Sequence, residues 1–449
     1  MSQPLTADAL RGLAARGDRL ALRRLLETHH PADVAEALGA LDDAVAARVL
    51  AAMPGEGGPV LEFLPPDRQE RLLALMSPEQ AADVLEEMAS DEAADLLGDL
   101  PAEDARRLLA TMARDEAADV RELLAYAPDT AGGLMATEVV AIRETATVAE
   151  ALADLRAQAP DAETIYYVYV VDAARRLVGV VSLRDLILAD EDARVSAIMR
   201  TDVVSAQVHD DREAVARLFE RYRLLALPVV DPGTRLVGVV TVDDVLEAVT
   251  EEASEDVYRL AGLVEEVESL DAPLQRAAKR LPWLLALLVV EAAAARVIEG
   301  FEAVLSAVVA VAFFIPMLND QAGNMGVQSA AIAVRAIATG AVDRRSYRRF
   351  VLREVAVGLL AGLASGAAAS AIGFLWQRDL MLGATLGLTL AVVMLIASLA
   401  GSVVPLVMTA LRRDPAVAAG PFITSTMDLV TVTVYFTVAS VLLRPLIVR

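Results

Sequence analysis

The sequence predicts a multidomain chain: an all-α superhelical N-terminal domain, a duplicated α/β unit, a long acidic connecting helix and an α-helical transmembrane domain with five spans. Three observations carry this. Hydrophobic residues make up 56% of the chain while 23% are charged, a combination that fits one soluble half and one membrane half. The stretch LVGVVSLRDL at 177–186 recurs as LVGVVTVDDV at 236–245, a shift of 59. Five apolar segments, at about 282–299, 303–323, 354–376, 380–410 and 420–443, are each long enough to cross a bilayer as a helix.

Charge is divided along the same line. From Lys279 onward there are 14 Arg/Lys against 9 Asp/Glu, so the first 278 residues hold a net −28 of the chain's −23. That excludes a nucleic-acid partner, which needs a basic face, and suits a protein that collects cations. With no cysteine there is no disulfide frame, thiolate metal site or thiol nucleophile. His29, His30 and His209 have no zinc-ligand spacing. No GxxxxGK[ST] loop, phosphorylatable DKTG or catalytic histidine arrangement points to an enzyme such as an ATP-driven pump. The first residues lack an apolar signal core, which predicts a cytoplasmic N-terminus.

In order, residues 1–130 form the acidic helical domain. Runs such as PADVAEAL (31–38), PEQAADVLEEM (78–88), DEAADLLGDL (91–100), PAEDARRLLATM (101–112) and DEAADVRELLAY (115–126) open on Pro or acids, as a helix N-terminus prefers. Apolar residues at three- and four-residue steps predict amphipathic helices stacked as a small solenoid. The ordinary role of its carboxylates is a solvated face. Punctuation at 127–134 (APDTAGGL) marks a linker. The duplicated units follow, at 131–195 and 196–250. Each has a helix (Val148–Gln158; Glu213–Tyr222), two apolar strands (Tyr166–Val171 and Leu177–Val181; Ala226–Val230 and Leu236–Val240) and a last helix opened by Ser182 or Thr241. Residues 251–278 are the acidic connecting helix, with Glu251/Glu255 and Glu252/Asp256 each sharing a face at a repulsive cost that an external cation would relieve.

The membrane domain is assigned to 279–449. A cytoplasmic N-terminus and five crossings put the C-terminus outside, in a cell (inner or plasma) membrane. Arg335, Arg344, Arg345, Arg348, Arg349, Arg353, Arg412 and Arg413 then fall in cytoplasmic loops, as positive flanks should. Gly358, Gly362 and Gly366, with Gly383 and Gly387, are helix-packing signals. The fifth span carries one charge, Asp428. An acid at that depth costs roughly 2.5–3.5 kcal/mol on insertion scales and faces a protein interior or a watery path. Its alternative role is to cap a neighbouring broken helix. The stretch FFIPMLNDQAGNMGVQSA (313–330) reads as a polar, breakable end to the second span, able to line an ion path or to be an interfacial loop.

The strand–turn–strand–helix repeat resembles paired CBS domains, whose G-hydrophobic-hydrophobic-S/T-x-x-D signature both copies match. By that resemblance Asp185, with Arg184 and Tyr167, is a nucleotide contact with ATP as the candidate ligand; a purely structural or cation-sensing pair is the alternative. Pro316–Gln328 and Asp414–Asp428, with the whole domain order, resemble the MgtE family of magnesium channels. The resemblance implies a homodimer in the lipid bilayer with its pore along the subunit interface, Mg²⁺ as permeant ion and regulator, and a plug formed by the connecting helix. It marks Asp428, Asn324 and Thr424, with Asp320 beside them, as pore residues. Glu213, Asp244, Glu247, Glu252, Glu255, Asp256 and Asp414 are implied as regulatory metal ligands. Asp320 and Glu291 are acids the family pattern does not require, and Arg223 stands where an acidic ligand is usual. The expected activity is Mg²⁺ uptake closed by internal Mg²⁺; a proton- or sodium-coupled transporter of Mg²⁺, Mn²⁺ or Co²⁺ is the rival.

Overall fold

In the computed structural model the chain divides into two compact units, Met1–Thr250 and Glu251–Arg449, considered separately below. The structure describes all residues except 1–4, 17–18, 27, 54, 56, 160–161, 264–272, 343–344, 412, 417–419 and 448–449.

Among the described residues the first unit opens with ten short helices between Ala7 and Leu123, including α5 (Gly57–Glu62), α7 (Pro78–Leu85), α8 (Ser90–Asp99) and α10 (Glu116–Leu123). Their acidic and prolyl openings act as caps. Ser77 and Gln80 form a capping box at α7, with Pro78 in the first turn. The Glu87 carboxylate accepts from the Gly57 and Gly58 backbone N–H groups at the start of α5. The apolar faces, including Leu38, Leu61, Leu85 and Leu97, share one core with Val215, Leu227 and Val240 of the second repeat.

Each repeat folds as a three-stranded sheet: β1 (Val139–Arg143), β2 (Thr164–Val171) and β3 (Leu177–Ser182) with α11 (Val148–Gln158) and α12 (Leu183–Leu188), then, after α13 (Val195–Ile198), β4 (Ala206–Gln207), β5 (Ala226–Val230) and β6 (Leu236–Thr241) with α14 (Arg212–Tyr222). The middle strand runs parallel to the first and antiparallel to the third. The two strands expected in each copy are present, and β1 and β4 are additions. The opening segments change places: Ala136 bridges to Val239, and Arg200 to Val180. The glycine inside the repeated motif permits this. A Cβ on Gly238 would lie 2.6 Å from the Ala136 oxygen.

The expected connecting helix over 251–278 is not a separate element. Its first part is the end of α15 (Val242–Leu260), which stops because Gly262 is left-handed, with φ of 80°. Gly262 N–H donates to the Arg259 oxygen and Leu263 N–H to that of Tyr258, a Schellman C-terminus. Glu265, Glu266 and Glu268 lie outside the described residues. The helix resumes as α16 (Pro273–Gly300).

Among the described residues four helices are long and apolar enough to cross a membrane: α16, α19 (Tyr347–Gln377), α20 (Leu380–Ala410) and α21 (Gly420–Leu442). The apolar second span expected over 303–323 is broken into α17 (Glu302–Ala307), a 3-10 stretch at Val309–Phe314 and α18 (Ile315–Ala338). Pro316 sets where α18 begins: it lacks an N–H and its ring would meet the carbonyl of residue 312, so it belongs in a first turn. The polar stretch 313–330 is therefore helical from Ile315 instead of a loop. The freed backbone is compensated, since the buried Tyr435 hydroxyl donates to the Val311 oxygen at 3.0 Å. On α19, Gly358, Gly362 and Gly366 are buried against α20, as the GxxxG spacing predicts. A last short helix, α22, covers Arg444–Ile447.

Candidate functional site

Within the second unit, α18 owes its two faces to a small/polar pattern. Ala322, Gly323, Gly326 and Ser329 are buried; a Cβ on Gly326 would approach Ile423 of α21 to 2.6 Å, and Gly323 abuts Thr424. That packing leaves Asp320, Asn324 and Gln328, four residues apart, as an exposed stripe of one helix face. Asn324 Nδ2 donates to Asp320 Oδ2 at 3.1 Å. Asp428, half-buried on α21, has Glu291 of α16 and Asp320 of α18 as its charged neighbours. Acids from three helices thus lie near one another, Asp428 half-buried and Glu291 and Asp320 exposed, and acids on membrane helices mark ion paths. Glu291 drew no role from the sequence alone; its isolation in an apolar helix was the available signal.

At one end of the same unit, the tail of α15 rests on the start of α21. Arg259 is ion-paired with both Glu255 and Asp414. Two expected regulatory ligands are thereby brought together around the chain's own cation, a pairing that no local sequence pattern marks. A Cβ on Gly420 would lie 1.7 Å from the Leu260 oxygen, and one on Gly262 would lie 2.4 Å from Trp283 Nε1. Glu252 is half-buried on α15, and the Asp256 side chain lies outside the described residues.

The first unit holds a second concentration of acids. Asp91, 7% exposed, and Glu92 open α8, and face Asp244 and Glu247 of α15 with Glu62 and Glu163 close by. Ser90 fixes the approach, donating to Glu138 at 2.7 Å and accepting from the Thr137 N–H at 3.0 Å. Asp244 accepts from the Thr241 N–H and hydroxyl, at 2.9 and 2.7 Å. Burial first, and then like charges, raise the Asp91 carboxyl well above its usual range and push Glu92 up to about 8, mainly through desolvation and then Glu247. Here the solvated face expected of DEAADLLGDL does not hold, because α8 is docked on the second repeat. Among the described residues no three such groups already converge on a metal position. Mg²⁺ at this place would be held through its own waters, which it gives up reluctantly.

This crowding has a testable sign. The folded Glu92 holds its proton up to about pH 8, whereas an unfolded glutamate releases it near its ordinary value of about 4.3. Between those values the folded state binds more protons, so stability falls as pH rises. In chelator, the melting temperature of the full-length protein should drop from pH 5 to pH 8, and saturating Mg²⁺ should flatten the slope. An upward slope in chelator would contradict the crowding.

The remaining expected residues are separated. Glu213 is exposed on α14 and paired with Arg217 at 3.2 Å. Arg223 is the left-handed C-cap of that helix, with φ of 52°. Tyr167 pairs in register with Ser182, whose hydroxyl caps α12 by accepting from the Asp185 N–H at 3.1 Å. Tyr167, Arg184 and Asp185 therefore gather at one end of the first repeat's sheet.

Comparison with known proteins assigns three regions of the chain. Residues 29–129 match the MgtE intracellular N domain, 131–192 and 195–251 the CBS domain, and 315–438 the MgtE divalent cation transporter family. The chain is 44% identical to the magnesium transporter MgtE of Enterococcus faecalis over 331 residues, 74% of this chain and 73% of that one. It is 42% identical to the magnesium transporter MgtE of Thermus thermophilus over 335 residues, 73% of each. The solved soluble part of a magnesium transporter superposes with a TM-score of 0.52 at 37% identity, covering 55% of this chain and 98% of that one. The cytosolic domain of the Mg²⁺ channel MgtE in complex with ATP gives 0.50 at 44% identity, covering 54% and 99%.

Proposed function

The chain belongs to the MgtE family of magnesium transporters, and on that premise we propose that it is a membrane protein admitting Mg²⁺ along a path lined by Asp428 and the polar stripe of α18. The observation that carries this reading is the meeting of Asp428, Glu291 and Asp320 inside the membrane unit. Mg²⁺ keeps several waters in a rigid octahedron and is commonly held by one or two carboxylates. Asp428 supplies the fixed charge, while Asn324, Thr424 and Asp320 offer oxygens and an amide to the ion's water shell. Counting α18, five helices cross the membrane; with the N-terminus in the cytoplasm, the arginines before α19 lie inside and the C-terminus outside. A homodimer would cover the exposed stripe of α18 with its counterpart.

Regulation in this reading comes from the acids of the cytoplasmic domains. Mg²⁺ relieves the repulsion among Asp91, Glu92, Asp244 and Glu247 and favours the packed arrangement. Glu213, Glu252, Glu255, Asp256 and Asp414 are further regulatory positions, with Arg259 already holding Glu255 and Asp414. Tyr167, Arg184 and Asp185 fit an adenosine ribose at the first repeat, where ATP would bind. The purified protein in liposomes provides the test: Mg²⁺ should enter in response to membrane potential, without dependence on a proton or sodium gradient. Flux that follows either gradient would make it a coupled transporter.

The seam between α15 and α21 gives a specific expectation. Gly420→Ala places a methyl group on the Leu260 oxygen, forcing the α15 tail off α21. Half-closure by internal Mg²⁺ should then need a several-fold higher concentration, with faster protease cleavage near residues 259–263. Unchanged closure would show that this seam is not part of the gate.

A further inference from the structure

A cavity of about 460 Å³ lies between the first turns of α19 and the last turns of α20, bounded by Tyr347, Arg348, Leu352, Val403, Val407 and Ala410. Its volume is in the range of ligand pockets, and its walls are almost wholly apolar, with Arg348 and Tyr347 among the residues that line its α19 side. Val407 and Leu352 are 48% and 58% exposed. Arg348 is one of four exposed arginines, with Arg345, Arg349 and Arg353, and among the described residues none of the four has an acidic partner. Three of them sit around the N-terminus of a 31-residue helix whose first turn has no acid and no side-chain cap. Cations are unfavourable at that pole of a helix, which attracts negative charge.

We propose that this groove is a binding site for an acidic phospholipid, with its phosphate at Arg348 and Arg345 and an acyl chain along Val403 and Val407. The charge complementarity decides the occupant: an apolar slot opening onto unpaired arginines at the end of membrane helices matches an anionic head on a hydrocarbon tail. Basic pockets between membrane helices hold such head groups, and tyrosine favours the same interfacial depth. The site requires only that α19 and α20 lie in a bilayer, and stands whether or not Asp428 carries the ion.

The test measures lipid retained by the full-length protein, by native mass spectrometry after exchange into equal phosphatidylglycerol and phosphatidylcholine. Wild type should retain phosphatidylglycerol at least five-fold over phosphatidylcholine. Arg348→Gln, and Val407→Trp, which fills the slot, should each bring the ratio below two-fold, while Arg335→Gln on α18 leaves it unchanged. Retention in Arg348→Gln and Val407→Trp equal to wild type would reduce the effect to general surface charge. Equal retention of the two lipids by wild type would overturn the site, including the case of a second copy covering the groove. Displacement by millimolar inorganic phosphate alone would mean an anion site without a lipid tail. Should Val407→Trp fail to fold, Arg348→Gln, at an exposed position, decides the matter.

Discussion

Asp428→Ala is expected to lower Mg²⁺ flux by at least about a hundredfold in a protein that still folds. An ion held through its first waters sits roughly 4–5 Å from the carboxylate. At an effective dielectric constant near 20 the attraction between a divalent ion and one carboxylate is about 7–8 kcal/mol, and about 1.4 kcal/mol is tenfold in an equilibrium constant. No other acid lies on α21, so its loss has no local substitute. Glu291→Gln and Asp320→Asn should behave differently, raising the Mg²⁺ concentration for half-maximal flux several-fold with little change at saturation, since both side chains are exposed and add to a site they do not found. Radiometric or fluorescent flux in liposomes separates these outcomes. Near-normal flux in folded Asp428→Ala would refute the assigned path. A collapse in Glu291→Gln equal to that of Asp428→Ala would show the two carboxyls acting as one unit.

The second large effect concerns the acids at the start of α8. Asp91→Asn with Glu92→Gln removes two like charges from a place where burial already opposes ionisation. Repulsion between charges is local, reaching about 8 Å in solvent at physiological salt, and Asp91 and Glu92 have Asp244 and Glu247 as charged neighbours. The double variant should keep α8 docked on the second repeat in chelator, with protease resistance near residues 127–134 no longer dependent on Mg²⁺. In wild type the same segment should become protected as Mg²⁺ rises. Deleting residues 1–127 removes the helical half of the cluster and should leave a channel that needs about tenfold more internal Mg²⁺ to close, the ion having lost its differential affinity for the packed state. Closure of the deletion variant at the wild-type concentration would place the sensor elsewhere.

Local chemistry was legible wherever it depended on neighbours in sequence. Helix openings at Pro31, Pro78 and Pro101, the strands at 226–230 and 236–241, and the spans 380–410 and 420–442 follow from capping, alternation and length. Hydropathy places an interruption in the polar run after Pro316, whereas in the structure the apolar run before it is interrupted and the polar run is helical. Proline's missing N–H fixes where a helix begins, and hydropathy does not override it.

The sequence by itself determined the domain order, the duplication, four of the five apolar spans and the presence of an acid at position 428, because periodicity, hydropathy and turn chemistry act over a few residues. Only the tertiary structure decided which acids are special. DEAAD occurs at 91–95 and again at 115–119; Asp91 is buried opposite Asp244, while Asp115 is exposed. Identical pentapeptides differ because one helix start is docked on a distant acidic helix and the other meets solvent. In the same way Glu291, Asp320 and Asp428 come from three helices far apart in sequence, and Arg259 reaches Asp414 across 155 residues. Desolvation and charge crowding depend on what packs nearby in space, which no local pattern records.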